Sequence, residues 1–502
     1  WQHPSDSQGP HDIPHRSVSS FAMALQTPIP ALFSDQLREL LPTEAEALLA
    51  SLDEEASVSV RLNRRKTEMP PASLPIGEAV PWAKPVGFYL DGRPAFAADP
   101  LWHAGVYYVQ EASSMLLRLV APLLGEEPLR ALDLCAAPGG KSTLLVDLLP
   151  EGSTLVSNEL IRSRAQILSE NIQKWGGVHS VVTSTEPQRL GRLREQFDFI
   201  LVDAPCSGEG MFRKEEEARR QWTPGLVESY ARQQREILDD IWPALAPGGL
   251  MVYSTCTFNR QEDEDMLAYL VEELGAEPVA LPELPEPITP SPLSSYPCYR
   301  MMPHRLRYRM MPHRLRGEGL FMAVVRKPDV ELGSARTKSA RSKIKPNPKL
   351  PQEVLRWLRE DLRRDVTLQS LPDGTLTAIP SALYPIVEAL QGAKIPILTS
   401  GIPLAEVKGS DFLPLPALAL SVGLDDEAFA RAELTQEEAI RYLAREAVTL
   451  SADTPRGLVL VTYEGYPLGF AKHLGNRTNN LYPQAWRIRH PELLLSGLDA
   501  KE

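Results

Sequence analysis

The sequence predicts an α/β protein whose central unit is a doubly wound parallel sheet. Between about residues 129 and 327, short apolar runs typical of buried strands alternate with amphipathic stretches typical of helices. At 502 residues the chain is too long for one hydrophobic core, so smaller domains should flank this unit. Strands of the sheet are predicted at 130–135, 153–158, 180–183, 197–203, 250–254 and 320–325.

Helices between these strands would cover both faces of the sheet, and they are predicted at 141–149, 161–174, 224–242 and 261–274. An α+β domain is expected ahead of the sheet, from helical patterns at 34–49 and 110–120 and a strand at 58–62. Beyond the sheet we expect helices at 352–364 and 434–446, short strands around 368–379, and a strand-rich tail at 457–462, 467–472 and 485–488.

These patterns divide the chain into six segments. Residues 1–22 contain no apolar segment of a secretory signal and are expected to be a disordered or non-native leader. The others are an N-terminal scaffold or RNA-binding domain at 23–122, the α/β domain at 123–328, a basic linker at 329–351, a small middle domain at 352–433 and a β-rich domain at 434–502.

Composition limits the classes of function. Hydrophobic residues make up 43% and charged residues 24%, and no apolar run is long enough to cross a bilayer, so we expect no membrane partner. The four cysteines, Cys135, Cys206, Cys256 and Cys298, form no CxxC pair, which argues against a metal site or a disulfide framework. Free thiols indicate a reducing, cytoplasmic location.

The charge is negative overall but locally basic. A net charge of −12 argues against indiscriminate binding of nucleic acid, yet arginine and lysine cluster at 300–316 and 334–349. These clusters suit either a selective RNA-binding protein or ordinary solvated loops, and charge alone does not choose between them. The first cluster contains an oddity, because residues 299–307 are repeated letter for letter at 308–316. A period of nine is far too short for a solenoid, so we interpret it as a local duplication or a sequence error.

The turn after the first strand of the sheet has the composition of a ligand-binding loop. Residues 133–142 read DLCAAPGGKS, where two glycines allow a ligand to approach the backbone at the start of a helix. A Walker A loop would need glycine where Cys135 stands, and the dinucleotide pattern GxGxxG is absent. Glu159 follows the second strand, where a carboxylate can accept the hydroxyls of a ribose. A nucleoside ligand without a polyphosphate indicates S-adenosylmethionine, although a plain tight turn and a helix cap remain the simpler interpretations.

Two cysteines follow neighbouring strands of the predicted sheet. Cys206 comes shortly after the strand at 197–203, and Cys256 follows the strand at 250–254. Carboxyl ends of adjacent parallel strands meet at one edge, so the two thiols, with Asp203 beside them, should share a cleft. The alternative is that each is a buried, inert small side chain, which is the usual fate of a free cysteine.

The motifs LDLCAAPGGKS, SNEL, LVDAPCSGEGMFRK and YSTCTFNRQEDE together resemble the RNA cytosine-C5 methyltransferases, and more narrowly the bacterial RsmF type that acts on 16S ribosomal RNA. The resemblance runs from Met23 over nearly the whole chain, and the tail from 468 to 489 resembles the PUA-like RNA-binding module of that family. It implies a Rossmann-like methyltransferase core, S-adenosylmethionine as cofactor, and 16S rRNA or the small ribosomal subunit as partner. A monomer is favoured.

The resemblance also implies roles for individual residues. Cys256 would be the nucleophile, Cys206 would assist release of the methylated RNA, and Asp203 would lie beside both base and cofactor. Glu159 would bind the ribose, and Glu186 is the nearest match to the acidic residue near the adenine. The methionine part would lie against Cys135, Ala136, Ala137, Pro138, Gly139, Gly140 and Lys141.

The sequence leaves alternatives open. The same chemistry could act on transfer RNA, or the chain could be a non-catalytic RNA-binding factor in ribosome assembly. A P-loop nucleotidase is a third idea, which the cysteine at 135 disfavours. Arg213 and Lys214 are candidates either for RNA-phosphate contact or for a structural role.

Overall fold

The computed structural model describes residues 27–285, 288–301, 316–329, 347, 349–371, 373–409 and 411–499. Its first part begins with two helices, α1 (Ala31–Leu40) and α2 (Ala45–Leu52). A four-stranded antiparallel sheet follows, in the order β2-β3-β1-β4, with α3 (Pro100–His103) before its last strand. The strands are β1 (Ser59–Leu62), β2 (Ile76–Ala79), β3 (Gly87–Leu90) and β4 (Tyr107–Val109). The predicted single helix at 34–49 is wrong, because Pro42 cannot continue an α-helix through its missing N–H.

The centre of the molecule is a ten-stranded mixed sheet whose first nine strands come from the predicted α/β domain. They are β5 (Arg130–Asp133), β6 (Thr154–Asn158), β7 (Ser180–Thr183), β8 (Phe197–Asp203), β9 (Leu245–Thr255), β10 (Glu277–Pro278), β11 (Thr289–Pro290), β12 (Cys298–Met301) and β13 (Leu320–Arg326). The helices between them are α4 (Gly140–Leu148), α5 (Arg162–Trp175), α6 (Pro187–Gly191), α7 (Glu216–Gln221), α8 (Pro224–Ile241) and α9 (Glu264–Glu272).

Strands β9-β8-β5-β6-β7 lie in that order and are all parallel, while β13 pairs antiparallel with β9 at one side. The predicted doubly wound core is therefore confirmed. Its strands are buried on both faces: Ile200 and Val202 of β8 contribute to one hydrophobic cluster, whereas Phe199 and Leu201 contribute to another. This two-sided burial explains why the sequence of β8 is a continuous apolar run and does not alternate.

The segment after the linker contributes to the central sheet as well as forming a sheet of its own. It contains α10 (Glu360–Asp365), β14 (Val366–Ser370), β15 (Thr375–Pro380), α11 (Tyr384–Gly392), β16 (Ile397–Ser400), β17 (Ile402–Lys408), β18 (Asp411–Pro414) and α12 (Pro416–Leu420). Strand β16 pairs antiparallel with β7 and forms the tenth strand of the central sheet. Helix α11 packs into the core of that sheet through Ile386, Val387 and Leu390. The sequence pattern does not predict either contact.

The tail folds as a separate four-stranded sheet, in the order β19-β20-β21-β22. Its elements are β19 (Ala430–Glu433), α13 (Gln436–Leu443), β20 (Gly457–Tyr463), β21 (Tyr466–His473), β22 (Thr478–Asn480) and α14 (Pro491–Asp499). Helix α13 begins with a capping box in which Thr435 and Glu438 satisfy each other's backbone N–H groups. The predicted strand at 485–488 is wrong, since a short 3-10 turn occupies Gln484–Trp486.

Two other predicted helices are shorter or tighter than expected. The predicted helix at 110–120 is a 3-10 helix at Ser113–Leu123, and the one at 352–364 is a 3-10 turn followed by α10. No helix in the described part of the chain is long and apolar enough to cross a membrane. The leader at 1–22, most of the duplicated segment and most of the basic linker lie outside the described residues.

Candidate active site

The ends of β8 and β9 bring the two predicted cysteines together. These strands run parallel, with Asp203 opposite Ser254, so the loops that follow them begin side by side at the carboxyl end of the sheet. Beyond that edge, the Sγ atoms of Cys206 and Cys256 lie 3.3 Å apart. The backbone N–H of Gly210 donates to the carbonyl of Cys256 at 2.8 Å, which ties the two loops together. The two thiols lie next to each other, as the strand order predicts, but neither is among the residues that line the cleft containing Asp203.

The environment differentiates the cysteines chemically. The hydrogen bond with Cys256 and burial raise the pKa of Cys206 well above its ordinary value, so Cys206 is held as a thiol. Burial also raises the pKa of Cys135, which removes it as a competing nucleophile. Cys298 is fully buried in β12, which is separated from β9 by β13. All four cysteines are free.

Asp203 is held by a cation and a hydroxyl. Lys141 donates from Nζ to its Oδ2 at 2.7 Å, and Ser254 donates from Oγ to its Oδ1 at 2.7 Å. Burial lowers the pKa of Lys141, but attraction to Asp203 and their hydrogen bond outweigh burial and raise that pKa above its ordinary value. The ammonium of Lys141 also interacts electrostatically with Cys256. The ammonium of Lys141 therefore acts on both the carboxylate and the second thiol.

A cleft opens beside Asp203 and Lys141. Its walls come from the turn after β5 and from the end of β4, and the residues that line it are Tyr108, Val109, Gln110, Glu111, Ser114, Asp133, Cys135, Ala136, Ala137, Pro138, Gly140, Lys141 and Asp203. The predicted loop 135–141 thus supplies much of the cleft. The contribution of β4 and of the residues after it is new, since the sequence pattern assigned 110–120 to a helix.

The loop geometry fits the amino-acid end of a nucleoside ligand such as S-adenosylmethionine. Gly139 has φ +117°, a conformation that side chains rarely adopt, and it places the chain at the start of α4 beside the cleft. Asp133 accepts from Ser142 at Oδ2, but its buried Oδ1 has no hydrogen-bond partner. Burial raises the pKa of Asp133 to about 7. A buried acceptor without a partner suits an ammonium group of the ligand.

The two other predicted acidic residues lie outside the cleft lining. Glu159 follows β6 and is buried, where Oε1 accepts from the backbone N–H of Ile161 at 2.9 Å. Its Oε2 forms an ion pair with Arg164 at 3.4 Å, and Arg164 also donates to the carbonyl of Ala137 in the loop. Glu186 is exposed immediately before α6. Glu159 is therefore connected to the loop through Arg164, whereas Glu186 is not.

Two buried carboxylates that the sequence pattern does not single out connect the cysteine loops to each other. Glu209 lies in the loop that contains Cys206. It accepts from the backbone N–H groups of Phe258 at 2.6 Å and of Asn259 at 3.0 Å, which follow Cys256 in the other loop. In the opposite direction, Glu262 accepts from the backbone N–H of Ser207 at 3.0 Å. Burial raises the pKa of Glu209 to about 7 and also raises that of Glu262. We call these two residues the carboxylate brace.

Arg213 has a structural position in the described chain. Its guanidinium donates to the carbonyl of Ser51 at 2.7 and 2.9 Å and to that of Gly317 at 3.1 Å. Lys214 forms a 3.3 Å ion pair with Glu318. Within the described residues, no group of histidine, cysteine and acidic side chains could hold a metal ion.

Comparison with known proteins gives three family matches along the chain: the N-terminal domain of 16S rRNA methyltransferase RsmF at residues 29–112, the 16S rRNA methyltransferase RsmB/F family at 120–326, and the methyltransferase RsmF PUA domain at 429–488. The ribosomal RNA small subunit methyltransferase F of Cronobacter sakazakii is 31% identical over 490 residues, covering 91% of this chain and 96% of that relative. The chain belongs to the 16S rRNA methyltransferase RsmB/F family.

Other comparisons agree with membership of the RsmB/F family. The protein of the same name from Escherichia coli O9:H4 is 31% identical over 487 residues, covering 91% of this chain and 96% of the relative. The crystal structure of NSun6 from Pyrococcus horikoshii aligns with a TM-score of 0.50 at 20% identity, over 60% of this chain and 99% of that one, which shows a shared fold. As a member of the RsmB/F family, the chain is an S-adenosylmethionine-dependent methyltransferase. The predicted cofactor and methyltransferase core are confirmed.

Proposed function

We propose that this protein forms 5-methylcytosine in 16S rRNA through a covalent bond between Cys256 and C6 of the target cytosine. The observation that carries the proposal is the pair of thiols 3.3 Å apart, beside the Lys141–Asp203 pair that lines the cofactor cleft. The target base is flipped out of its stack to reach them. The relatives are named as methyltransferases of the small-subunit ribosomal RNA, and this supports 16S rRNA as the substrate.

Two electrostatic observations support Cys256 as the nucleophile. Cys206 has a raised pKa and stays protonated, so its S–H can donate to Cys256. The ammonium of Lys141 interacts electrostatically with Cys256. Addition of the Cys256 sulfur to C6 turns C5 of the cytosine into an enamine-like nucleophile. Asp203 ends β8, which lies between the strand before the loop and the strand before Cys256. Its carboxylate can accept from the exocyclic amino group of the cytosine, and from N3 once N3 is protonated.

The cofactor supplies the methyl group, as a sulfonium that is open to attack by C5. Asp133 and the loop residues that line the cleft would hold its amino-acid end, namely Cys135, Ala136, Ala137, Pro138, Gly140 and Lys141. A direct contact by Gly139 stays a prediction, since this residue is outside the lining. We assign the ribose to Glu159, whose link through Arg164 to the loop supports a place next to the cleft. An adenine contact by Glu186 stays a prediction, since this residue is exposed and outside the cleft lining.

Release of the product requires removal of the proton on C5 and cleavage of the bond between Cys256 and C6. The Cys206 thiol contacts the Cys256 sulfur, and we assign it to this release step. The Cys206 sulfur takes the proton from C5 while its own S–H proton passes to the departing sulfur of Cys256, so that both cysteines end as thiols. Cys206 would thus act after the methyl group has been transferred.

Two substitutions test the assignment. Cys206→Ala should accumulate a covalent protein–RNA adduct in the presence of RNA and S-adenosylmethionine, visible as a shifted band in denaturing electrophoresis. Cys256→Ala should form no adduct and transfer no methyl group. Cys298→Ala is the matched control, because this thiol is buried in β12 and should leave methylation unchanged. Methylation that continues in both Cys206→Ala and Cys256→Ala would contradict the mechanism.

The RNA target is tested separately. Base-resolution mapping of 5-methylcytosine, in cells with and without the protein, should show a lost site in 16S rRNA; loss in transfer RNA alone would overturn the proposed substrate. We assign the tail domain to RNA binding, supported by its match to a PUA domain and by the exposed Arg477, Arg487 and Arg489. The protein is proposed to act in the cytoplasm as a monomer, which sedimentation of the purified chain can check.

A further inference from the structure

Gln110 lies at the point where the N-terminal sheet meets the cofactor cleft. It directly follows β4, and only 4% of the residue is exposed. Its backbone is fixed on both sides, since its N–H donates to the carbonyl of Ser59 at 3.2 Å and its carbonyl accepts from Ser59 Oγ at 2.6 Å. The side chain therefore projects into the cleft lining from a rigid strand end.

A buried arginine determines which way the amide of Gln110 faces. Arg61, in β1, is fully buried and donates from Nε to Gln110 Oε1 at 2.7 Å. Its other nitrogens donate to Asp147 Oδ2 at 2.7 Å and Thr143 Oγ1 at 2.6 Å. A guanidinium has only donors, so the oxygen of the amide must face Arg61. The Nε2 group is then directed away from Arg61.

The Nε2 atom of Gln110 has no hydrogen-bond partner among the described residues. It lies against the first turn of α4, since a Cβ atom built on Gly140 would be 3.6 Å from it. No side chain caps the N-terminus of α4, a helix of nine residues whose first backbone N–H groups need acceptors. The buried amide of Gln110 and the N-terminus of α4 thus present N–H donors to the same side of the cleft. Together they favour binding of a negatively charged group there.

We propose that Gln110 Nε2 and the N-terminus of α4 form the subsite for the α-carboxylate at the amino-acid end of the cofactor, so that the N-terminal segment completes the cofactor site. The inference rests on the cofactor cleft assigned above, but not on the roles of the cysteines. Asp133 Oδ1, an acceptor without a partner on the same cleft, provides the complementary place for the α-ammonium. Arg61 acts indirectly, by fixing the orientation of the amide.

Gln110→Glu is the sharpest variant, because it preserves the shape of the side chain and an oxygen acceptor for Arg61. It replaces the Nε2 donor with an oxygen that repels a carboxylate. Titration calorimetry would compare S-adenosylmethionine, its decarboxylated form and 5′-methylthioadenosine, which lacks the amino-acid end altogether. Gln391→Glu, an exposed substitution of the same charge on α11, is the matched control.

The wild-type protein should bind S-adenosylmethionine at least about tenfold more tightly than the decarboxylated form, as expected for a hydrogen bond to a charged group. Gln110→Glu should abolish or reverse that preference and leave 5′-methylthioadenosine binding within about twofold. Gln391→Glu should behave as wild type. If Gln110→Glu folds poorly, the wild-type ligand series and Gln110→Met, which removes the donor without adding charge, provide the same comparison.

Each other outcome overturns a specific statement. Equal loss of affinity for all three ligands in Gln110→Glu would show that Gln110 shapes the cleft without contacting the carboxylate. A wild-type protein that binds the decarboxylated form as tightly as S-adenosylmethionine would refute the subsite, and would leave an RNA phosphate as the anion for this place. Failure of the wild-type protein to bind any of the three would instead refute the cofactor assignment of the cleft.

Discussion

The carboxylate brace gives a quantitative prediction for Glu209→Ala. The Glu209 side chain is fully buried, and besides the two backbone N–H groups it accepts from Trp222 Nε1 at 3.0 Å. Phe258 and Trp222 are at most 4% exposed, so their donors would lose their acceptor without access to water. Each buried donor left without a partner costs about 1–3 kcal/mol. For the donors of Phe258 and Trp222 together this cost is about 2–6 kcal/mol. Removal of a buried carboxylate also removes its desolvation penalty, so we expect the free energy of unfolding to fall by about 2 kcal/mol, the lower end of this range.

The assay is urea unfolding at pH 8, above the pKa of about 7, together with methylation of RNA. Glu217→Ala is the control: this residue is 60% exposed and forms a 3.2 Å surface ion pair with Arg220, so its loss should change stability by less than about 0.5 kcal/mol. Glu209→Ala should also lower the methylation rate more than about tenfold, since misplaced reacting groups cost such factors. The dissociation constant for S-adenosylhomocysteine should stay constant, because Glu209 is outside the cleft. Equal urea midpoints for the two variants would refute the reasoning.

Three further predictions concern the cofactor cleft, the thiols and the packing of the sheet. Burial raises the pKa of Asp133 to about 7, and the ammonium group of S-adenosylhomocysteine needs the ionised carboxylate. Calorimetry should therefore show that the affinity of the protein for S-adenosylhomocysteine is constant just above pH 7 and falls about tenfold for each pH unit below it. A thiol oxidant such as diamide should link Cys206 and Cys256 and stop methylation reversibly, because their sulfurs need to approach by only about 1.3 Å to reach bonding distance; peptide mapping that finds no such link would contradict this. A Cβ on Gly191 would lie 1.8 Å from a carbonyl of α8, so Gly191→Ala should lower the free energy of unfolding by about 1–3 kcal/mol, whereas Gly392→Ala, with open space around it, should not.

The sequence predicts the site best where a reactive side chain comes shortly after a predicted strand. Cys206 and Cys256 could be placed together because carboxyl ends of neighbouring parallel strands meet, and that rule needs only the strand order. The loop at 135–141 could be predicted equally well, because a glycine-containing turn between a strand and a helix is typical of ligand-binding loops. Both inferences depend on local pattern and on one general rule of topology.

Features that depend on distant contacts could not be predicted. Strand β16 is four residues long, and its place in the central sheet is decided by pairing with β7, more than 200 residues earlier. The amphipathic pattern around Gln110 predicts a helix, but Glu111 accepts from the N–H groups of Ser113 and Ser114 and delays the start of the helical turn. Glu209 carried one weak signal, an acidic residue in a stretch of small and apolar ones.

The pairing of β16 with β7 also has a practical consequence for any shortened form of this protein. A fragment that stops near residue 328 would retain both thiols and the cofactor cleft, but it would leave β7 as an open edge. It would also uncover the apolar side chains beneath α11. Unpaired strand edges and exposed apolar surface promote self-association. A fragment that ends after β18 and α12 keeps this edge closed, but it uncovers the apolar side chains against which Leu460 and Phe470 of the tail pack. The tail is therefore better kept in any form made for expression and crystallisation.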